Sequence, residues 1–328
     1  MNRRSTVLAC LTALSTLHAL HGLARAQPRP GRPTMGYLGF RSRPNELDEA
    51  FTTALGELGY VQGRNIVIER RFAAGSEQRL QQYGAELVAL KPDILMASSF
   101  QSTAALARLT QTIPIVFMAN ADPVGSGFVA SLARPGGNIT GLATLAGDLG
   151  AKQIELLQAV VPRLTRLGML VNPSNPGNAF VMRSVEQGAR SAGVTVRAFE
   201  AATADAIDAA FAAMAAARMQ AVTLAIDGFY IQEAARIAAL ALRHKLPSMT
   251  PQRLHADAGS LMSLGSPLIE NFRRAAIYAD KILKGARVGE LPVEQPTAVE
   301  LVINLRTARA LGVVIPRAVL VRADGVIG

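Results

Sequence analysis

Cysteine is nearly missing from this 328-residue chain, tryptophan is missing outright, and histidine occurs four times. The single cysteine, Cys10, lies in a stretch that reads as a cleaved leader, so no disulfide is left to staple the remainder and packing must stabilise it alone. His244 and His255 stand without a paired His or Cys spacing, which gives no support to a metal site. Aromatic residues make up 5% of the chain and no Lys/Arg run is interleaved with rings, a pattern that argues against a nucleic-acid surface. A Gly-x-Ser-x-Gly elbow and a Gly-x-x-x-x-Gly-Lys-Ser/Thr phosphate loop are both absent, and Arg134-Pro135-Gly136-Gly137-Asn138 reads as a turn. Catalysis and a bound cofactor therefore find no positive signal.

What is present is ordinary globular material. Hydrophobic residues are 50% and charged residues 18%, and the length suits two domains. Residues 1–26 read as a secretory signal: Arg3 and Arg4 are followed by a mostly apolar Val7 to Leu23, and Ala24-Arg25-Ala26 supplies a small-x-small cleavage pattern. His18 and His21 interrupt the apolar run, which disfavours a membrane anchor. Both Sec and twin-arginine export stay open. Losing Arg3, Arg4 and Arg25 takes the formal net charge from +10 to +7, scattered along the chain as on a solvated exterior. Residues 27–33, QPRPGRP, read as an extended linker.

The apolar periodicity then alternates between strand and helix. Met35 to Phe40 is a strand; Asn45 caps a helix carrying Leu47, Phe51 and Leu55 on one face, stopped by Gly59. A strand at Asn65 to Arg71, a helix opened by Ser76, a strand at Asp93 to Ala97, a helix to about Thr110 and a strand at Ile115 to Met118 follow. Successive βα units imply a parallel sheet. A helix is expected over Gly125 to Ala133, and the turn after it leads into a second lobe near Gly141. There the pattern restarts: helices at Asp148 to Val161, Ala179 to Ala192, Ala204 to Ala217 and Phe229 to His244, with strands at Leu167 to Val171, Val194 to Phe199 and Ala221 to Ile226. Leu246 to Thr250 is expected to return the chain to the first sheet, which Ser260 to Leu264 and the helix Pro267 to Lys284 complete. Gly285 to Pro296 crosses again before a last strand and helix over Val299 to Gly312. The fold class is α/β, two Rossmann-like lobes with a three-segment hinge: 34–142 with 251–288, and 143–250 with 289–328.

With these segments in place the chain resembles the ABC transporter substrate-binding family of the type I periplasmic binding fold, the branch related to tryptophan and tyrosine importers. The likeness rests on Leu58-Gly59-Tyr60-Val61-Gln62-Gly63-Arg64-Asn65-Ile66, on Asp122-Pro123-Val124, and on Ser131-Leu132-Ala133-Arg134-Pro135-Gly136-Gly137-Asn138-Ile139-Thr140-Gly141. Asn172-Pro173 with Asn175-Pro176, Asp280 to Ala286, Leu291 to Pro296 and Leu301-Val302-Ile303-Asn304 extend it to about residue 325. The resemblance implies a bilobed receptor that delivers a small solute, an amino acid or other carboxylate, to a permease in the inner membrane, and no catalysis. A periplasmic location after cleavage of the leader and a monomeric state are expected with it. A periplasmic sensor acting through a membrane receptor would use the same fold. One departure is the stretch Met249 to Asp257, where family members commonly carry aromatics, which counts against an aromatic amino acid as ligand.

In open α/β sheets ligands bind beyond the carboxyl ends of strands, so the loops there supply the candidates. Ser99, Ser102 and Thr103 suit a ligand carboxylate at a helix N-terminus, and equally suit ordinary capping. Asp122 and Asp227 suit an ammonium group or a helix cap. Asn120, Asn172 and Asn175 are hydrogen-bonding candidates against a background of turn chemistry. Phe40, Phe100 and Phe229 offer apolar walls or core, with Tyr230 as a further ring for stacking, and Thr250 lies on the expected return to the first lobe.

Overall fold

The computed structural model describes residues 31–145, 147 and 149–328; the expected leader, residues 27–30 of the linker and Asp148 lie outside them. The first half comprises β1 (Thr34–Gly39), α1 (Glu46–Glu57), β2 (Val67–Phe72), α2 (Glu77–Ala89), β3 (Ile94–Ala97), α3 (Phe100–Leu109), β4 (Ile115–Asn120) and β5 (Ile139–Ala143). Short polar side chains set the helix starts. Asn45 accepts from the backbone of Leu47 while Asp48 accepts from the Asn45 N–H at 2.8 Å, closing a capping box on α1. Ser76 and Ser99 cap α2 and α3 with the simpler one-way bond, their hydroxyls accepting from the Arg79 and Ser102 N–H groups. The strands pair in parallel in the order β2-β1-β3-β4-β5, and Ile115 to Met118 is buried throughout, as suits a strand covered on both faces.

Two expectations for this half are corrected. Gly125 to Ala133 is not helical: Asp122 Oδ1 accepts from the Gly125 N–H at 2.7 Å, and Gly127 adopts φ +72°, so the chain closes turns instead of propagating a helix. Gly141, read as the exit from the sheet, sits inside a fifth strand. Its φ is +153°, and an added Cβ would stand 2.0 Å from the Phe117 carbonyl oxygen of β4, where the register of the β4–β5 pair shifts. Only glycine fits that approach. Gly141→Ala is expected to destabilise the fold by about 2 kcal/mol or more, read as a lower midpoint in urea unfolding. An unchanged midpoint would contradict this close approach.

The second half adds α4 (Gly150–Val160), β6 (Arg166–Val171), α5 (Asn178–Ser191), β7 (Thr195–Glu200), α6 (Ala204–Ala216), β8 (Ala221–Leu224), α7 (Gly228–Gln232) and α8 (Ala234–Arg243). The expected long helix from Phe229 is thus two, broken at Glu233. Then come β9 (Ser248–Thr250), α9 (Arg253–Asp257), β10 (Met262–Gly265), α10 (Leu268–Leu283), β11 (Glu300–Asn304), α11 (Leu305–Leu311), α12 (Arg317–Leu320) and β12 (Gly325–Ile327). The second sheet runs β12-β11-β10-β9-β8-β6-β7, parallel except between β10 and β11.

Here the expected return of the chain at Leu246 to Thr250, and the assignment of Ser260 to Leu264 to the first sheet, are corrected. Met249, Met262 and Leu264 bury with Met169, Leu301 and Ile303, so β9 and β10 belong to the second sheet. The helix after them does cross: Leu268, Phe272, Ala275 and Ala276 of α10 bury against Leu47, Phe51, Val116 and Met118. Asn271 fixes it there by donating to the carbonyls of Met118 and Ala143 at 3.3 and 3.0 Å. Three segments therefore run between the sheets, after β5, between β10 and α10, and before β11. Leu145 N–H donates to Ser266 Oγ at 3.0 Å, and Ala143 N–H to the Glu294 carbonyl at 2.8 Å, which ties all three together.

His255 of α9 is wholly buried with Nε2 facing the Tyr230 carbonyl at 3.2 Å. Burial pushes its pKa down to about 4. The unfolded chain titrates this group near ~6.5, so between the two values only the unfolded chain takes the proton. The stabilisation is present in full above the upper value and is lost as pH falls toward the lower. Wild-type melting temperature is expected to drop between pH 7 and pH 5 more steeply than that of His255→Gln; parallel curves would rule this group out.

Candidate functional site

The loops at the carboxyl ends of β1, β3, β4, β6 and β8 converge on one narrow cleft between the sheets, partly open to solvent. The room inside it is only about 30 Å³, so the cleft is nearly closed, and its placement is the one expected of open parallel sheets. Apolar surface comes from Leu47, Ala119, Ala121, Ile226, Leu268 and Phe272, and the polar groups are few.

Asp227 is the most constrained of them. It is 3% exposed and accepts four hydrogen bonds: from Asn175 Nδ2 at 2.7 Å, the Phe229 N–H at 2.8 Å, Asn172 Nδ2 at 3.2 Å, and Gln101 Nε2 at 2.7 Å from across the cleft. All four donors are neutral. Burial pushes its pKa up, and these hydrogen bonds pull against that rise without cancelling it. A cation reaching this carboxylate would complete it.

Arg41 lines the opposite wall at 3% exposure. Its Nη2 donates to Asp48 Oδ2 at 2.5 Å, and Asp48 also accepts from the Tyr37 hydroxyl and from the Asn45 backbone. Arg41 Nε is buried without a partner among the described residues, as are Ser98 Oγ and Gln101 Oε1, which belong to the same lining. Each such orphan costs about 1–3 kcal/mol, a penalty that an occupant with matching groups removes. One wall thus offers unused donors and the other a carboxylate without a cation, the arrangement that a zwitterion satisfies.

Of the residues expected from the sequence, Ser99, Phe100, Asn175 and Asp227 line this cavity. Asn172 stands behind it, holding Asp227 and capping the turn at Ser174. Phe40 and Phe229 are core residues beside it, 2% and 6% exposed. Ser102 Oγ meets Ser99 Oγ at 3.0 Å and Thr103 Oγ1 donates to the Ser99 carbonyl, so both hydroxyls serve the first turn of α3. Asn120 accepts from the Asp122 N–H, and Asp122 lines the outer cleft beside Phe128 and Arg108 while capping Gly125. Thr250 donates to the Met262 carbonyl inside the second sheet.

Arg41, Ser98, Gln101 and Phe272 were not singled out in the sequence. Arg41 and Ser98 each follow the carboxyl end of a strand, so topology alone marks their loops, but nothing local signals a buried arginine. The rings that face the cavity are Phe100 and Phe272, whereas Tyr230 is wholly buried with its hydroxyl on the Ala201 carbonyl. Among the described residues no cluster of His, Cys, Asp and Glu could hold a metal ion, and no helix is long and apolar enough to cross a membrane.

Comparison with known proteins accounts for this architecture. A tyrosine-binding protein of Clostridioides difficile strain R20291 is 27% identical over 269 residues, 81% of this chain and 77% of that protein. The crystal structure of an ABC domain in complex with L-Trp from Streptococcus pneumonia superposes with a TM-score of 0.83 at 25% identity, covering 90% of this chain and 100% of that one. A conserved domain protein from Vibrio cholerae O1 biovar El Tor gives 0.83 at 27% identity, over 90% and 99% of the two chains. The two sheets with their cleft are the type I periplasmic binding fold. The model of the ABC transporter substrate binding protein family matches residues 45–327, and the chain belongs to that family.

Proposed function

We propose that the protein is the exported solute-binding component of an ABC importer, which closes its lobes on an α-amino acid or a related small carboxylate and hands it to an inner-membrane permease. Asp227 carries this reading: a buried carboxylate held by four neutral donors, facing a cavity whose other wall holds Arg41. The ligand's ammonium sits against Asp227 and Gln101 Oε1; its carboxylate takes Arg41 Nε and Ser98 Oγ. The names of two relatives, one tyrosine-binding and one solved with L-Trp, support an amino acid.

Sheet membership supports a division into one lobe of 34–143 with 268–290 and another of 144–265 with 299–328. Gln101 to Asp227 and the Ser42 N–H to Gln232 Oε1, at 2.7 and 2.8 Å, join the two across the cleft, as in a closed receptor. With only about 30 Å³ of room in the cleft, ligand entry needs the lobes to part.

A ligand that binds only the folded chain raises its melting temperature, by an amount equivalent to about 2.7 kcal/mol at a hundred times its Kd. In a thermal-shift screen of amino acids, organic acids, nucleosides and sugars, α-amino acids are expected to give the largest shifts. Stabilisation by neutral sugars alone would contradict the proposal.

A further inference from the structure

We propose that the ligand site continues into a second, polar chamber at the hinge, where Gln252 and Thr144 select a ligand whose far end carries a hydrogen-bonding group. A small cavity lies beside the main one, lined by Thr144, Pro251, Gln252, Leu264 and Ser266, and the two cavities share Ile226 and Leu268 as common wall. Gln252 is 2% exposed and Thr144 3%. Both amide atoms of Gln252 and the hydroxyl of Thr144 are buried without a hydrogen-bond partner among the described residues. A donor, an acceptor and a hydroxyl thus meet in one space, each unused by the fold.

Gln252 stands at the N-terminal cap of α9, where its side chain makes no capping bond. Ser266 differs, since its hydroxyl already accepts from the Leu145 N–H. The chamber also has a tight floor: a Cβ at Gly265 would stand 1.7 Å from the Pro251 carbonyl oxygen, so backbone meets backbone there.

The proposed ligand is elongated and enters as the lobes part, since the space beside Gln252 is only about 10 Å³ and that beside Asp227 about 30 Å³ here. A charged head lies between Asp227 and Arg41, an apolar stem passes Ile226 and Leu268, and a tip bearing both donor and acceptor, a hydroxyl or a carboxamide, reaches Gln252 and Thr144. Such a tip satisfies groups that hydrocarbon would leave orphaned, and a site of that kind rejects the analogue lacking the polar group. Thr144 follows β5 and Ser266 of the same lining lies between β10 and α10, so a tip bound here touches two of the segments that run between the lobes.

This inference rests on the amino-acid reading for the head group alone. It is tested by calorimetric titration of wild type, Gln252→Met and Thr144→Val with two matched pairs, tyrosine against phenylalanine and glutamine against methionine. Wild type is expected to prefer the polar member of the pair it accepts by about tenfold or more, and Gln252→Met to abolish that preference. Without ligand, Gln252→Met is expected to melt no lower than wild type, because an unpaired buried amide contributes nothing to the fold. Equal wild-type affinity for both members, a preference that survives Gln252→Met, or a variant melting several degrees lower would each overturn the proposal. If no amino acid binds wild type, the amino-acid reading alone fails, and the unliganded melting temperatures still decide whether the Gln252 amide serves the fold.

Discussion

Asp227→Ala is expected to weaken binding of an α-amino acid by about a hundredfold or more, the range found when one partner of a buried, hydrogen-bonded charge pair is removed. The reason is local. Asn172, Asn175 and Gln101 all point their amide donors at this one carboxylate, so its loss strands three donors as well as the ligand's ammonium. Acid should imitate the mutation. Burial pushes the Asp227 pKa up, and only the ionised carboxylate holds a cation, so affinity is expected to fall as pH drops through the raised pKa. Without ligand the same group acts on stability in the opposite sense to His255. As pH falls below the raised pKa, the folded chain binds a proton that the unfolded chain, still ionised, does not, so this group by itself favours the folded form. Titrating affinity and melting temperature on one set of buffers separates the two contributions.

Asp48→Ala is the second large effect, and it falls on stability. Asp48 is 1% exposed and joins three groups: the Arg41 guanidinium, the Tyr37 hydroxyl and the Asn45 backbone at the start of α1. Burial, and then the neighbouring Asp48 charge, push the Tyr37 pKa well above its usual value, so the phenol stays neutral and donates. Removing the carboxylate leaves a buried guanidinium without its counterion and opens one half of the capping box of α1. Breaking a buried pair from one side costs about 3–5 kcal/mol, on the order of 10 °C in melting temperature for a chain of this size. The surface pair Arg287 and Glu290 is a natural control: both side chains are about 70% exposed, and Glu290→Ala should leave the melting temperature nearly unchanged. A similar loss in both variants would show that the triad is no special stabiliser.

The first four strands and the helices between them were legible because each uses a strong local device. Asn45, Ser76 and Ser99 cap helices at their expected positions, and Ile115 to Met118 is a short apolar run that suits a strand buried on both faces. β5 was hidden because its middle residue is Gly141, whose unusual φ answers to Phe117 of the neighbouring strand and to nothing in its own sequence. β9 and β12 are three residues each, too short for any period to show. Sheet membership of β10 depends on partners far along the chain, Met249 on one side and Ile303 on the other.

The same division holds at the site. Strand-end topology marked the loops of Ser99, Asn175 and Asp227, but it does not distinguish a side chain facing the cleft from one consumed by its own turn, as Ser102 and Thr103 are, or by the neighbouring strand, as Thr250 is. Arg41 escaped notice because its burial depends on Asp48 and Tyr37, which meet it only in the folded chain.

The most direct measurement of the central claim is a double-mutant cycle between protein and ligand. Wild type and Asp227→Asn are titrated with an α-amino acid that stabilises the protein and with its des-amino analogue, the same carboxylate lacking the ammonium. Wild type is expected to favour the amino acid by about a hundredfold, and Asp227→Asn to bind the two alike, since the coupling between Asp227 and the ammonium is then absent. Equal affinity of wild type for both ligands, or a preference undiminished in Asp227→Asn, would contradict a site built to hold an amino acid across this cleft.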